Sequence, residues 1–126
     1  MPMKLFIQPL TNLLTRIRYP TSLPEEVATD LGINISNTLN FQEFISLLTN
    51  PHCRPSKLSR FMPREQAENL FQTAIRKECF KQHSLFFYHF NGGWMEFMLQ
   101  FDEKARLRRI YIKHKDLKQK YEISIS

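Results

Sequence analysis

The spacing of apolar residues changes once along this chain, and that change confines it to one fold class. Up to about residue 81 apolar side chains recur every three or four positions, as on one face of a helix. Beyond it they alternate, as along a strand. Helices first and strands second is the pattern of an α+β domain, not of βαβ units around a parallel sheet.

Leu85 to Phe90 is aromatic on both faces, which predicts a central, buried strand. Asn91-Gly92-Gly93 predicts a tight hairpin, because asparagine and glycine tolerate positive φ. In Trp94 to Phe101 the residues Met95, Phe97, Leu99 and Phe101 point one way, and Trp94, Glu96, Met98 and Gln100 the other. Asp102 to Ala105 is a second turn and Arg106 to Lys113 a third strand. Its parity slips between Leu107 and Ile110, which predicts a bulge near Arg108. Tyr121, Ile123 and Ile125 predict a short fourth strand.

In the helical half, Phe6, Leu10, Leu13, Leu14 and Ile17 share one face of a helix over about 3–18, closed by Arg18-Tyr19-Pro20. Ser22 and Glu25 have the spacing of a capping box, with Gly32 placed to end that helix. Asn40 and Glu43 offer a second box ahead of Phe41, Phe44, Ile45 and Leu48. Ala67, Leu70, Phe71, Ala74, Ile75 and Cys79 predict a long helix over about 63–81, with Pro63 in its first turn. The expected architecture is α+β: N-terminal helices, then a long helix packed on a three- to four-stranded antiparallel meander. It forms a single domain over 1–126, with a helical part at 1–50 and a helix-plus-sheet part at 61–126, joined by the basic loop 50–60.

Composition sets the outer limits. Of 126 residues, 42% are apolar and 24% charged, which excludes wholesale disorder. Two cysteines exclude a disulfide-stapled scaffold, and no apolar run is long enough to span a membrane. Only Leu5, Phe6 and Ile7 follow Lys4 before Gln8 and Pro9, too short for a secretory segment, so the expected location is cytoplasmic with Cys53 and Cys79 as thiols.

The net charge of +6 is concentrated. Residues 104–120 hold eight bases (Lys104, Arg106, Arg108, Arg109, Lys113, Lys115, Lys118 and Lys120) and one acid, Asp116, a net of +7 that leaves −1 for the rest. Such a stretch attracts acidic proteins, phosphates or anionic lipid; it also serves to keep a sheet edge from pairing with another.

Catalytic patterns are not legible. There is no phosphate loop, GxSxG or HExxH, and two of the three glycines belong to one turn. His52, Cys53, Cys79, His83, His89 and His114 are too scattered for a four-ligand zinc site. The cations around Cys53 are expected to lower its thiol pKa, but no base accompanies it. The expectation is therefore a non-enzymatic protein-binding module without metal or cofactor. Its binding residues are Arg106, Arg108, Arg109 and Lys113 with Tyr111 and Trp94, its partner an acidic protein, and pairing of two copies across a sheet edge is compatible with it.

The alternative is a nucleic-acid-binding protein. One route is a helix-turn-helix-like segment over 24–45: Val27 to Ile33 is similar to the first helix and turn, with Ala28 and Gly32 four apart for close helix packing, but Thr38 stands where an apolar anchor belongs and 33–42 has no Lys or Arg. The basic, aromatic sheet is the other route, by stacking and clamping single strands.

Met62-Pro63-Arg64-Glu65-Gln66-Ala67-Glu68-Asn69-Leu70, then an aromatic strand, then Phe101-Asp102-Glu103 with Leu107 and Ile110, together resemble the small α+β domain of outer-membrane assembly lipoproteins of the BamE/SmpA type. The resemblance covers 61–112 and implies helices beside a three-stranded antiparallel meander that binds proteins and catalyses nothing. Phe71-Gln72 stands where that family has a glycine, and Cys53 follows Asn50-Pro51-His52 rather than an apolar leader. The resemblance therefore implies topology and mode of action, not envelope location or a lipid anchor.

Overall fold

The computed structural model describes residues 21–126, so the helix expected at 3–18 lies outside the described residues. Within them the chain runs α1 (Pro24–Asp30), α2 (Phe41–Leu48), α3 (Arg64–Asn69), β1 (Arg76–Cys79), β2 (His83–Phe90), β3 (Gly93–Phe101), β4 (Leu107–Lys113) and β5 (Tyr121–Glu122). The fold is α+β, and its five strands form one antiparallel meander in chain order.

The expected long helix at 63–81 is corrected. The helix ends at Asn69, and Arg76–Cys79 pairs antiparallel with Phe87–Ser84 of β2. Leu70 to Ala74 makes tight turns instead, with the Phe71 N–H donating to Glu68 O and the Ala74 N–H to Phe71 O, both at 3.0 Å. Apolar positions at three- and four-residue steps fit a helix, but only Ala67 and Phe71 of that set are fully buried. The edge of β2 offers unpaired backbone groups, and satisfying them outweighs a weak helical period.

Capping divides the same way. At α2, Asn40 Oδ1 accepts from the Glu43 N–H (2.8 Å) and Glu43 Oε1 from the Asn40 N–H (2.9 Å), the expected reciprocal box. At α1, Leu23 is the N-cap and no side chain caps it. The Ser22 N–H instead donates to His89 O (2.8 Å), tying the chain ahead of α1 to β2.

Alternation places one face of the sheet in the core. Phe86, Tyr88, Phe90, Met95, Phe97, Leu99, Phe101, Leu107, Ile110 and Ile112 are all buried. Phe41 and Phe44 of α2 meet Phe90 at 5.7 and 5.5 Å between ring centroids, and Phe71 stacks on Phe86 at 5.0 Å. Full burial of one such side chain contributes roughly 1.5–3 kcal/mol.

α3 is tied to the inner face by charge as well. Arg64 donates to Glu68 Oε2 (3.2 Å), to Ser84 Oγ (2.9 Å) and to the carbonyls of Phe80 (2.8 Å) and Lys81 (2.9 Å), while Ser84 donates a very short bond to Glu68. Ser84 is wholly buried, and this network satisfies its hydroxyl. Burial pushes the Glu68 carboxyl up, but the Ser84 hydroxyl, Arg64 and Lys77 together outweigh it and hold its pKa below the usual value. No helix among the described residues is long and apolar enough to cross a membrane.

Candidate functional site

The outer face of the sheet carries residues that alternation directs away from the core. Register builds two rows across it. One runs Arg76–Phe87–Glu96–Lys113, the other Glu78–Leu85–Met98–Tyr111–Glu122. The contacts of α2 and α3 fall on the opposite face, at Phe90, Ser84 and Phe101. The outer face therefore carries Leu85, Phe87, Met98 and Tyr111 across its middle strands, with Glu96 among them on β3 and Arg76, Glu78, Lys113 and Glu122 toward its margins.

Four of the six expected binding residues meet there. Arg109, Tyr111 and Lys113 are alternate residues of β4, and Trp94 is the second residue of β3. Trp94 and Lys113 line a groove of about 450 Å³ together with Phe87, Glu96, Lys115 and Leu117. Trp94 is 43% exposed and lies 4.9 Å from the ring of His89. The Arg109 guanidinium is 3.9 Å from Glu122, and Lys120 sits 4.5 Å over the Tyr111 ring. Tyr111 first, then Glu122, raises the pKa of Arg109.

The other two, Arg106 and Arg108, are held apart from this face. The expected bulge is present: Gln100 pairs with Arg109 and Phe101 with Leu107, so Arg108 is the extra residue. It turns toward Phe61 (guanidinium carbon 4.8 Å from the ring centroid), and Arg106 lies over the same ring at 5.5 Å. Both approach Asp102, Arg106 at 3.1 Å and Arg108 at 3.9 Å. Partial desolvation pushes the Asp102 carboxyl up; the N–H groups of Arg106 and Lys104 and the Arg106 guanidinium outweigh it, so its pKa is lowered. Part of the basic stretch is thus neutralised within the chain. Phe61, which completes this cluster, is marked in the sequence only as an apolar residue between Arg60 and Met62-Pro63.

Other candidates separate as well. The Cys53 thiol pKa is raised by burial, reversing the expectation for its basic loop. Cys79 is exposed at the end of β1, its sulfur 3.9 Å from Glu68. Residues 31–40 separate α1 from α2, longer than a helix-turn-helix connection. Gly32 (φ 82) abuts the 55–58 loop, where a Cβ would stand 2.7 Å from the Lys57 nitrogen. No group of three or more metal-ligating side chains forms among the described residues. Comparison of the chain with family models, curated proteins and solved structures found no match.

Proposed function

We propose that this chain is a non-enzymatic protein-binding module, working in the cytoplasm, that receives an acidic protein partner on the outer face of its sheet. One observation carries the reading: Arg109, Tyr111 and Lys113 project side by side from β4 next to the groove that Trp94, Phe87 and Leu117 line. Aromatic and arginine side chains grouped at the centre of a surface are what protein interfaces use for binding energy. Cations at the rim of an apolar groove select a partner whose apolar residues are flanked by carboxylates. The resemblance of 61–112 to lipoproteins that act by binding proteins points the same way.

The test reverses charge where the groove and the basic row meet. Affinity purification with Arg109→Glu/Lys113→Glu should lose acidic proteins that the wild type retains. An unchanged set of co-purifying proteins overturns the reading.

A further inference from the structure

We infer that Phe61 is the anchor of a second contact point on the basic surface, one that takes an apolar side chain flanked by carboxylates. The inference rests on the acidic-partner reading and adds to it a residue and a sequence preference.

Three departures from regular backbone converge on this point. Phe61 has a left-handed φ of 73°, which a bulky side chain rarely adopts, and Ala105 has a φ of 58°. They are the only non-glycine residues with positive φ among the described residues. Arg108 is the extra residue of the β3–β4 bulge. Hydrogen bonds tie the 61–64 segment to the chain around the bulge: the Phe61 N–H to Leu107 O (2.6 Å), the Leu107 N–H to Met62 O (2.8 Å) and the Arg64 N–H to Ala105 O (2.9 Å). Strained conformations persist where surrounding structure enforces them, and they gather at binding sites.

This enforced geometry puts an apolar ring on the surface. Phe61 is 49% exposed, with the guanidiniums of Arg108 and Arg106 over its ring. Burial of this side chain therefore does not account for its conformation. The guanidiniums at the ring offer charge-assisted hydrogen bonds to a carboxylate that comes beside an apolar group. Asp102 already demonstrates the chemistry, since one carboxylate engages both guanidiniums.

Charge decides between classes of partner. At the ring, Arg106 and Arg108 share the single carboxylate of Asp102, which leaves one positive charge in excess. A polynucleotide is held by neutralising many phosphates at once, which this surplus does not supply. A protein segment with one or two carboxylates beside a leucine or phenylalanine matches both the charge and the exposed ring.

The experiment is an anisotropy titration of the full chain with three labelled probes. They are a glutamate peptide interrupted by single leucines, the same peptide with serine for leucine, and oligodeoxythymidine of equal charge. The wild type should bind the leucine peptide best, and Phe61→Gly should weaken that binding at least about tenfold. Phe61→Gly should remain folded, with an unchanged far-ultraviolet circular dichroism spectrum, because glycine adopts the left-handed conformation without strain. Equal peptide binding by Phe61→Gly, no binding of the leucine peptide, or preference for the oligonucleotide overturns the inference. Arg109→Glu/Lys113→Glu separates the two readings. If that variant alone loses the peptide, the anchor falls and the outer-face reading stands; if neither variant changes binding, both fall.

Discussion

Gly92, at the tip of the β2–β3 hairpin, lies against Phe41 at the start of α2, so close that a Cβ on it would collide with the ring and stand 2.6 Å from the Phe41 Cβ. The hairpin and the helical layer are therefore registered by the absence of one side chain. Phe41 is fixed in turn by Phe90 and by His114, whose ring is 5.0 Å away, so it has little room to retreat. Gly92→Ala should cost about 1–3 kcal/mol, the range for forcing an extra carbon into a packed contact. Urea unfolding checks this; a cost below about 0.5 kcal/mol would mean that Phe41 swings aside.

The Arg64–Glu68–Ser84 network makes a prediction about acid. Glu68 has a lowered pKa in the fold, so its contribution is present above the unfolded carboxyl pKa and is lost as pH falls through the folded value. Below the usual glutamate range, wild-type stability should therefore fall more steeply with pH than that of Glu68→Gln. At neutral pH, Ser84→Ala should cost about 1–3 kcal/mol, because Arg64 and Glu68 lose a buried partner. Denaturant titrations from neutral to acid pH read both effects.

Tyr88 sets a limit at the alkaline end. It is wholly buried, and its hydroxyl has no partner within hydrogen-bond geometry. Burial pushes its pKa up to about 12, opposed by the nearby Thr73 hydroxyl and helped slightly by the charge of Asp30. The fold holds this proton more tightly than the unfolded chain, so stability should decline as pH rises from about 10 toward 12. Tyr88→Phe should remove that part of the decline and leave neutral-pH stability unchanged or higher, since it deletes an unsatisfied polar atom. Absorbance at alkaline pH and unfolding curves of the two proteins test it.

The thiols should differ in reactivity. Cys79 is exposed, whereas Cys53 is half-buried and has its thiol pKa raised by that burial. A thiol-disulfide reagent should modify Cys79 first, a result read by mass spectrometry after partial labelling. Faster labelling of Cys53 would mean that its loop opens.

The sheet was legible in the sequence because alternation is unambiguous when a strand has one buried face. Met95, Phe97, Leu99 and Phe101 sit as expected, and so does the bulge that the parity slip at Leu107 and Ile110 announces. The hairpin was read correctly for a partly different reason. Left-handed freedom is used at Gly93 (φ 135) and not at Asn91 or Gly92, where close approach is what matters. The helix over 63–81 was misread because the spacing of Ala67, Leu70, Phe71, Ala74, Ile75 and Cys79 does not record that β2 has a free edge nearby. Of the candidate site, the run of cations was visible, but its division was not. One extra residue in β4 turns Arg108 away from Arg109, and Phe61 reaches it from a distant loop.

The central claim, an acidic partner on the outer face of the sheet, is tested most directly through Trp94. It is the chain's single tryptophan and it lines the groove with Lys113. Its emission should shift saturably when the full chain is titrated at low salt with a glutamate–leucine peptide. Arg109→Glu/Lys113→Glu should abolish the shift, and oligonucleotides of equal charge should not produce it. An emission unchanged by the peptide, or changed by oligonucleotides alone, would contradict the account.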